Sequence, residues 1–139
     1  MNQSTTTVSV TGGDAPVRIY AADVVLTIAS DVSLLAAADE LAGDEVGLIV
    51  LGTTSNVEAV LSERDVVKAV AEGLDPVATP AMAAASKKIV WCDADATVHE
   101  AVALMMEHYV RHLLLERYGR LVGIVSARDL LGAYGMSST

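Results

Sequence analysis

Two stretches of the chain carry the same alternation of apolar and polar positions, 64 residues apart. Each opens with a short apolar run, VVLTI at 24–28 and IVWC at 89–92, which predicts a strand. An Asp-containing turn follows, then a segment with helical periodicity, at 33–42 and 97–108. In the second copy Val98, Ala101, Val102, Met105 and Tyr109 share one face at helical spacing. Thr97 with Glu100 three residues on is a capping-box pattern for that helix. Two more apolar runs come next, 46–51 with 57–61 and 112–116 with 120–125. TTSN and RYG join each pair as hairpin turns. A second helix closes each copy, at 62–71 and 126–133.

The order β-α-β-β-α therefore occurs twice. Residues 31–71 slide onto 95–135 without a gap, and eight of 41 positions are identical. The shared residues include Ser62/Ser126, Arg64/Arg128 and Asp65/Asp129. Gly73, Pro76 and Pro80 mark the join, and 82–88 reads as a short lead-in helix. A three-stranded sheet with two helices buries too little to stand comfortably alone. The two copies are expected to pack sheet against sheet around a shared core, as an α+β fold with pseudo-twofold symmetry. The expected divisions are a mobile Thr/Ser/Gly-rich arm at 1–15, a first repeat at 16–76, a second at 77–133 and a fraying tail at 134–139.

Charge narrows the partners. The chain of 139 residues has a net charge of −9, which argues against nucleic acid and against an anionic membrane surface. One small anionic ligand stays possible, because local arginines and helix N-termini can outweigh the mean field. Mean hydropathy is high at +0.46, yet no apolar run approaches the ~18 residues that span a bilayer. The excess apolar surface points instead to another subunit, so a homodimer is expected, with the helices 33–42 and 97–108 as its surfaces. A single cysteine, Cys92, and an N-terminus without an export signal make a reducing cytoplasm the expected location.

Little in the chain suggests catalysis. His108 and His112 are four apart but should diverge at a helix end, and no Cys or carboxylate cluster completes a metal site. Asp93 and Asp95 read as turn chemistry. TGGD at 11–14 lacks the Lys and the strand–helix context of a phosphate loop. The chain is expected to be no enzyme, and to bind no metal.

The duplicated corner admits two readings. Ser126 ends a strand and opens a helix, and Asp129 lies at the third helical position, so Ser-x-x-Asp is a helix cap, with Arg128 a solvated neighbour. The same holds for Ser62, Arg64 and Asp65. These elements and motifs, DADATVHEAVALMMEHYVRHLLL followed by GRLVGIVSARDLL above all, resemble a tandem pair of CBS (cystathionine-β-synthase) domains over roughly residues 20–133. SERDVVKAVAEGLDP is also similar to small stand-alone bacterial CBS pairs, some tied to hypoxia or dormancy responses. The resemblance implies regulatory binding of AMP, ADP, ATP or S-adenosylmethionine, dimerisation, and signalling to an unidentified protein partner.

In that reading the helix N-terminus favours phosphate, while an Asp there repels phosphate and accepts hydrogen bonds from vicinal ribose hydroxyls. Ser126 and Arg128 would face the sugar and phosphates. Arg111 and His112 fall where the family often places basic phosphate contacts; otherwise they are a solvated Arg and a packed strand-edge His. Their counterparts, Gly47 and Leu48, carry no charge. Gly123 becomes Ala59, whose methyl is expected to crowd a ligand, and Glu63 replaces Ala127. The second corner is therefore expected to bind better, in a cleft between the repeats. Lys87 and Lys88 read as a solvated pair. A scaffold that kept the fold and lost the ligand is the rival.

Overall fold

The structure, a computed structural model, describes residues 12–22, 24–44 and 46–137, with the side chains of 44 and 134–137 left out of the description. The six strands among the described residues form two three-stranded sheets. The first holds β1 (Thr27–Ile28), β2 (Leu48–Thr53) and β3 (Asn56–Ser62); the second holds β4 (Trp91–Asp93), β5 (His112–Arg117) and β6 (Arg120–Ser126). The helices are α1 (Leu34–Asp44), α2 (Glu63–Ala71), α3 (Ala81–Ala84), α4 (Val98–His108) and α5 (Ala127–Ser137).

The internal repeat is literal at the level of hydrogen-bond register. β1 runs parallel to β2 with Thr27 opposite Val50, and β4 runs parallel to β5 with Trp91 opposite Leu114. β2 and β3 are antiparallel with Leu48 opposite Ser62, and β5 and β6 are antiparallel with His112 opposite Ser126. Both hairpins carry a bulge directly after the shared leucine, Leu51 or Leu115. A parallel pair needs a crossover, and α1 and α4 supply it. The hairpin tips differ. Tyr118 and Gly119 both have positive φ, which gives the tight two-residue turn between paired Arg117 and Arg120. In the first hairpin the Thr53 hydroxyl instead accepts from the Asn56 N–H at 3.0 Å.

Each sheet turns one face to its own helices. Leu34, Ala37, Leu41, Ile49, Leu51, Leu61 and Ala69 form one buried cluster; Val98, Ala101, Met105, Leu113, Leu115, Val125 and Leu130 form the other. Burying each such leucine contributes about 1.5–3 kcal/mol. The capping box expected at Thr97 is present: its hydroxyl accepts from the Glu100 N–H at 3.1 Å, and Glu100 accepts from the Thr97 N–H at 2.8 Å.

The division of the chain differs from the expected one. The described residues before Val25 group with those after Ile89, and Val25–Ile89 form the other unit. Backbone pairing is the reason. The Val17 N–H donates to the Ala96 carbonyl at 2.7 Å, Val98 to Ala15 at 3.0 Å and Ala22 to Ile124 at 3.1 Å. Likewise Leu34 donates to Thr79 at 2.8 Å, Ala81 to Val32 at 2.9 Å, and Val60 and Ser86 exchange bonds at 2.9 and 2.8 Å. The segment before each repeat thus completes the other one. The lead-in expected as a helix at 82–88 is helical only over Ala81–Ala84, because Ser86 has gone to bridge Val60.

Two terminal expectations are corrected. Residues 1–11 of the expected arm lie outside the described residues, but 12–15 are not a free arm: Gly12–Asp14 make a 3-10 turn with both glycines buried. The tail expected from 134 continues α5 to Ser137, and 138–139 lie outside the described residues.

Candidate functional site

In the second-repeat unit, β6 ends at Ser126 and α5 begins at the next residue. The Ser126 N–H donates to Asp129 Oδ2 at 2.9 Å, and the Asp129 N–H donates to Ser126 Oγ at 3.1 Å. The other corner repeats this: the Ser62 N–H donates to Asp65 Oδ2 at 2.9 Å and the Asp65 N–H to Ser62 Oγ at 3.1 Å. Both are complete capping boxes, so the capping reading of Ser62, Asp65, Ser126 and Asp129 holds as geometry. It does not exhaust the carboxylates. Oδ1 of Asp65 and of Asp129 takes no hydrogen bond among the described residues. A carboxylate that accepts one N–H of its helix on Oδ2 keeps the whole of Oδ1, and the second lone pair of Oδ2, for further donors.

The helix starts are also partly used. The Ala127 N–H donates to the Arg111 carbonyl at 2.8 Å, and Glu63 donates to Gly47 at 3.3 Å. Among the first three N–H groups of α5, only that of Arg128 lacks a partner among the described residues. Arg111 is therefore pinned by its backbone to the corner, with its side chain exposed. His112 faces Ser126 across the β5–β6 ladder and is half-buried. Burial holds its pKa below the ordinary 6.5, Arg111 lowers it further, and the Asp129 carboxylate opposes both. Ser126, Asp129, Arg111 and His112 thus share one polar corner, with Arg128 exposed at its lip. The other corner has Ser62, Asp65 and exposed Arg64, with exposed Glu63 beside them; Leu48, the counterpart of His112, is buried. Lys87 and Lys88 are exposed.

The lowered His112 pKa gives a pH signature. The unfolded chain protonates this imidazole more readily than the folded one, so stability falls as pH drops from near 6.5 toward the folded-state pKa. His112→Asn is expected to flatten that part of the stability curve, as read by denaturant midpoints between neutral and mildly acid pH. Parallel curves for the two proteins would contradict the assignment.

The Gly123 expectation is corrected. A Cβ there would lie 3.3 Å from the Ala21 Cβ and 3.5 Å from the Leu115 side chain, so this glycine makes room for the N-terminal segment. Ala59 is fully buried in its own apolar cluster, so its methyl faces packing, not a ligand.

Other candidates resolve simply. Asp93 Oδ1 accepts from the Asp95 N–H at 2.8 Å, as turn chemistry requires. Asp95 also binds Arg18 Nε at 2.9 Å and an Arg117 terminal nitrogen at 2.6 Å, contacts between distant residues that no local pattern announces. The Arg18 hydrogen bond, then the Arg117 charge, hold its carboxyl below the usual range. Burial first, then Asp93 and Glu100, push the Cys92 thiol up, which makes it a poor nucleophile. Among the described residues no three or more His, Cys, Asp or Glu gather as a metal site, and no helix is long and apolar enough to cross a membrane.

Two apolar grooves were not anticipated in detail. One lies between α4 and α5, lined by Val102, Met105, Met106, Val110, Ala127, Leu130 and Leu131. The other lies between α1 and α2, lined by Ala38, Leu41, Ala42, Glu63, Val66 and Val67. The sequence signal was there, since the helices show outward as well as inward apolar residues.

Residues 82–135 match the model of the CBS domain family. The chain is 35% identical over 100 residues to hypoxic response protein 1 of Mycobacterium tuberculosis, covering 70% of each. A CBS domain protein from Pyrobaculum aerophilum, solved in complex with AMP, has a TM-score of 0.74 at 31% identity, over 87% of this chain and 98% of that one. A structure of hypoxic response protein I with two coordinated zinc ions has a TM-score of 0.69 at 30% identity, over 85% of this chain and 98% of that one.

Proposed function

Since the chain belongs to the CBS-domain family, we propose that it is a non-catalytic regulatory module that binds an adenine nucleotide or related adenosyl compound at the Ser126–Asp129 corner. The observation that carries the reading is Asp129 Oδ1, which takes no hydrogen bond among the described residues, in a corner where His112 sits opposite Ser126 and the Arg111 carbonyl accepts from the Ala127 N–H. The carboxylate oxygen would accept from a ribose hydroxyl, and Arg111 and Arg128 would neutralise a phosphate. That the Pyrobaculum relative was solved with AMP supports the ligand class. The Ser62–Asp65 corner has no basic residue in place of Arg111 or His112, and Glu63 adds repulsion, so it is the weaker site. Two copies would pair through the helical grooves, and ligand occupancy would be passed to a protein partner. Binding shifts a conformational equilibrium only by its difference in affinity for the two states.

A ligand-free scaffold is the second reading. It is favoured by the completeness of both capping boxes, which gives Ser126 and Asp129 a structural role without any ligand. Thermal shift in millimolar AMP, ADP, ATP and S-adenosylmethionine separates the two. A binder is expected to gain RT ln(1 + [L]/Kd), about 2.7 kcal/mol at a hundredfold excess over Kd. No shift with any of the four would favour the scaffold.

A further inference from the structure

Residues 12–22 form a strap that grips both elements meeting at the Ser126–Asp129 corner. They include two 3-10 turns, Gly12–Asp14 and Val17–Tyr20. At one end the Ala22 N–H donates to the Ile124 carbonyl of β6, two residues before Ser126, and the Ala21 methyl packs over Gly123. At the other end Gly12 lies so close to the Ala133 carbonyl of α5 that no Cβ fits between them. Ala133 comes one helical turn after Asp129. In the middle Val17 and Arg18 donate to the Ala96 and Ala94 carbonyls at 2.7 and 3.2 Å. One anchor thus lies just before the corner and one just after it, so β6 and α5 cannot change their angle there without moving the strap.

The strap is held thinly. Val17 is its one fully buried large side chain, while Ile19 is 59% exposed. Arg18 latches it to Asp95, whose Oδ1 also accepts from Arg117, but all three side chains are exposed and such pairs contribute little. The 64-residue shift turns Ala22 and Ile124 into Ser86 and Val60, which exchange two backbone bonds where Ala22 and Ile124 make one among the described residues. It turns Arg18 and Arg117 into Met82 and Thr53, so the latch belongs to this unit alone, the one whose corner carries Arg111 and His112. A segment with few buried side chains and an exposed latch opens at a lower free energy than the unit around it unfolds.

Resting on the nucleotide reading of the corner, we propose that residues 12–22 report its occupancy: strap docking and ligand binding reinforce each other, and an empty corner lets the strap open more often. A ligand that binds better when β6 and α5 are held in their docked geometry shifts the strap toward docking. By linkage, loosening the strap lowers affinity for that ligand by the same factor.

Amide hydrogen exchange of the full chain, read by mass spectrometry with and without saturating AMP, tests this, with AMP binding measured separately by titration calorimetry. AMP is expected to slow exchange within 12–22 by about fivefold or more, and by more than it slows β2 and β3. Asp95→Asn, outside the corner, is expected to speed exchange in 12–22 and to weaken AMP binding; Arg18→Ala opens the same latch from the strap side, should the first variant disturb its turn. Bound AMP with unchanged exchange in 12–22 would overturn the strap's role and leave the nucleotide reading standing. A latch variant that speeds exchange in 12–22 yet binds AMP with unaltered affinity would do the same. Absence of AMP binding to the unsubstituted protein would overturn the nucleotide reading, and the strap's role with it.

Discussion

Asp129→Ala is expected to weaken AMP binding by about tenfold or more, while Asp65→Ala leaves it nearly unchanged, although both variants lose similar stability. The two carboxylates do the same structural work, each accepting from the N–H of its serine at 2.9 Å. Removing either box costs about 1 kcal/mol, readable by denaturant unfolding. Affinity is where they part. A hydrogen bond from a ribose hydroxyl to a carboxylate is worth about 1.5–3 kcal/mol, which is about tenfold to a hundredfold in Kd. Only the Asp129 corner adds His112 and Arg111 to hold the rest of the ligand. Titration calorimetry of both variants decides the matter. Equal affinity losses would mean that the corners bind alike or that capping alone is being measured.

Gly12→Ala is expected to destabilise the protein by about 1–3 kcal/mol, while Gly13→Ala costs far less. A Cβ on Gly12 would run into the backbone carbonyl of Ala133, which cannot move without shifting α5. The three atoms nearest a Cβ on Gly13 all belong to the His99 ring, a side chain that can shift at the cost of its own contacts where a backbone carbonyl cannot. Gly43→Ala is the control: nothing lies within 4 Å of its Cβ position, and alanine gains up to about 1 kcal/mol over glycine in a helix. Thermal or denaturant unfolding of the three variants gives the order. Were Gly12→Ala neutral, the docking of 12–15 onto the second-repeat unit would be wrong, and the mobile arm of the sequence reading would return.

That contrast shows where the sequence could be read and where it could not. The β-α-β-β-α order was legible because it rests on local pattern: short continuous apolar runs for β2 and β3, buried at consecutive residues, and a period of 3.6 for α1 and α4. The 64-residue shift was legible because the two sheets share register down to the bulge after Leu51 and Leu115. The capping boxes were legible because their spacing is local. What could not be read are pairings between distant residues: Val17 with Ala96, Ser86 with Val60, Arg18 with Asp95. Backbone N–H groups carry no side-chain signature, so nothing in the string says that 16–22 completes the second repeat. Gly123 shows the same limit, since its neighbour Ala21 is 102 residues away in the chain (123 − 21) and no local pattern ties the missing methyl to it. At the corner itself, residue types were legible and oxygen-by-oxygen occupancy was not.

On this reading Asp129 has a second task beyond its helix. A crystal structure of the protein grown with AMP tests it most directly. The expected result is a ribose hydroxyl within hydrogen-bond distance of Asp129 Oδ1, with the phosphate against Arg111 or Arg128. A nucleotide bound elsewhere, or only water beside Asp129 at saturating AMP, would contradict it.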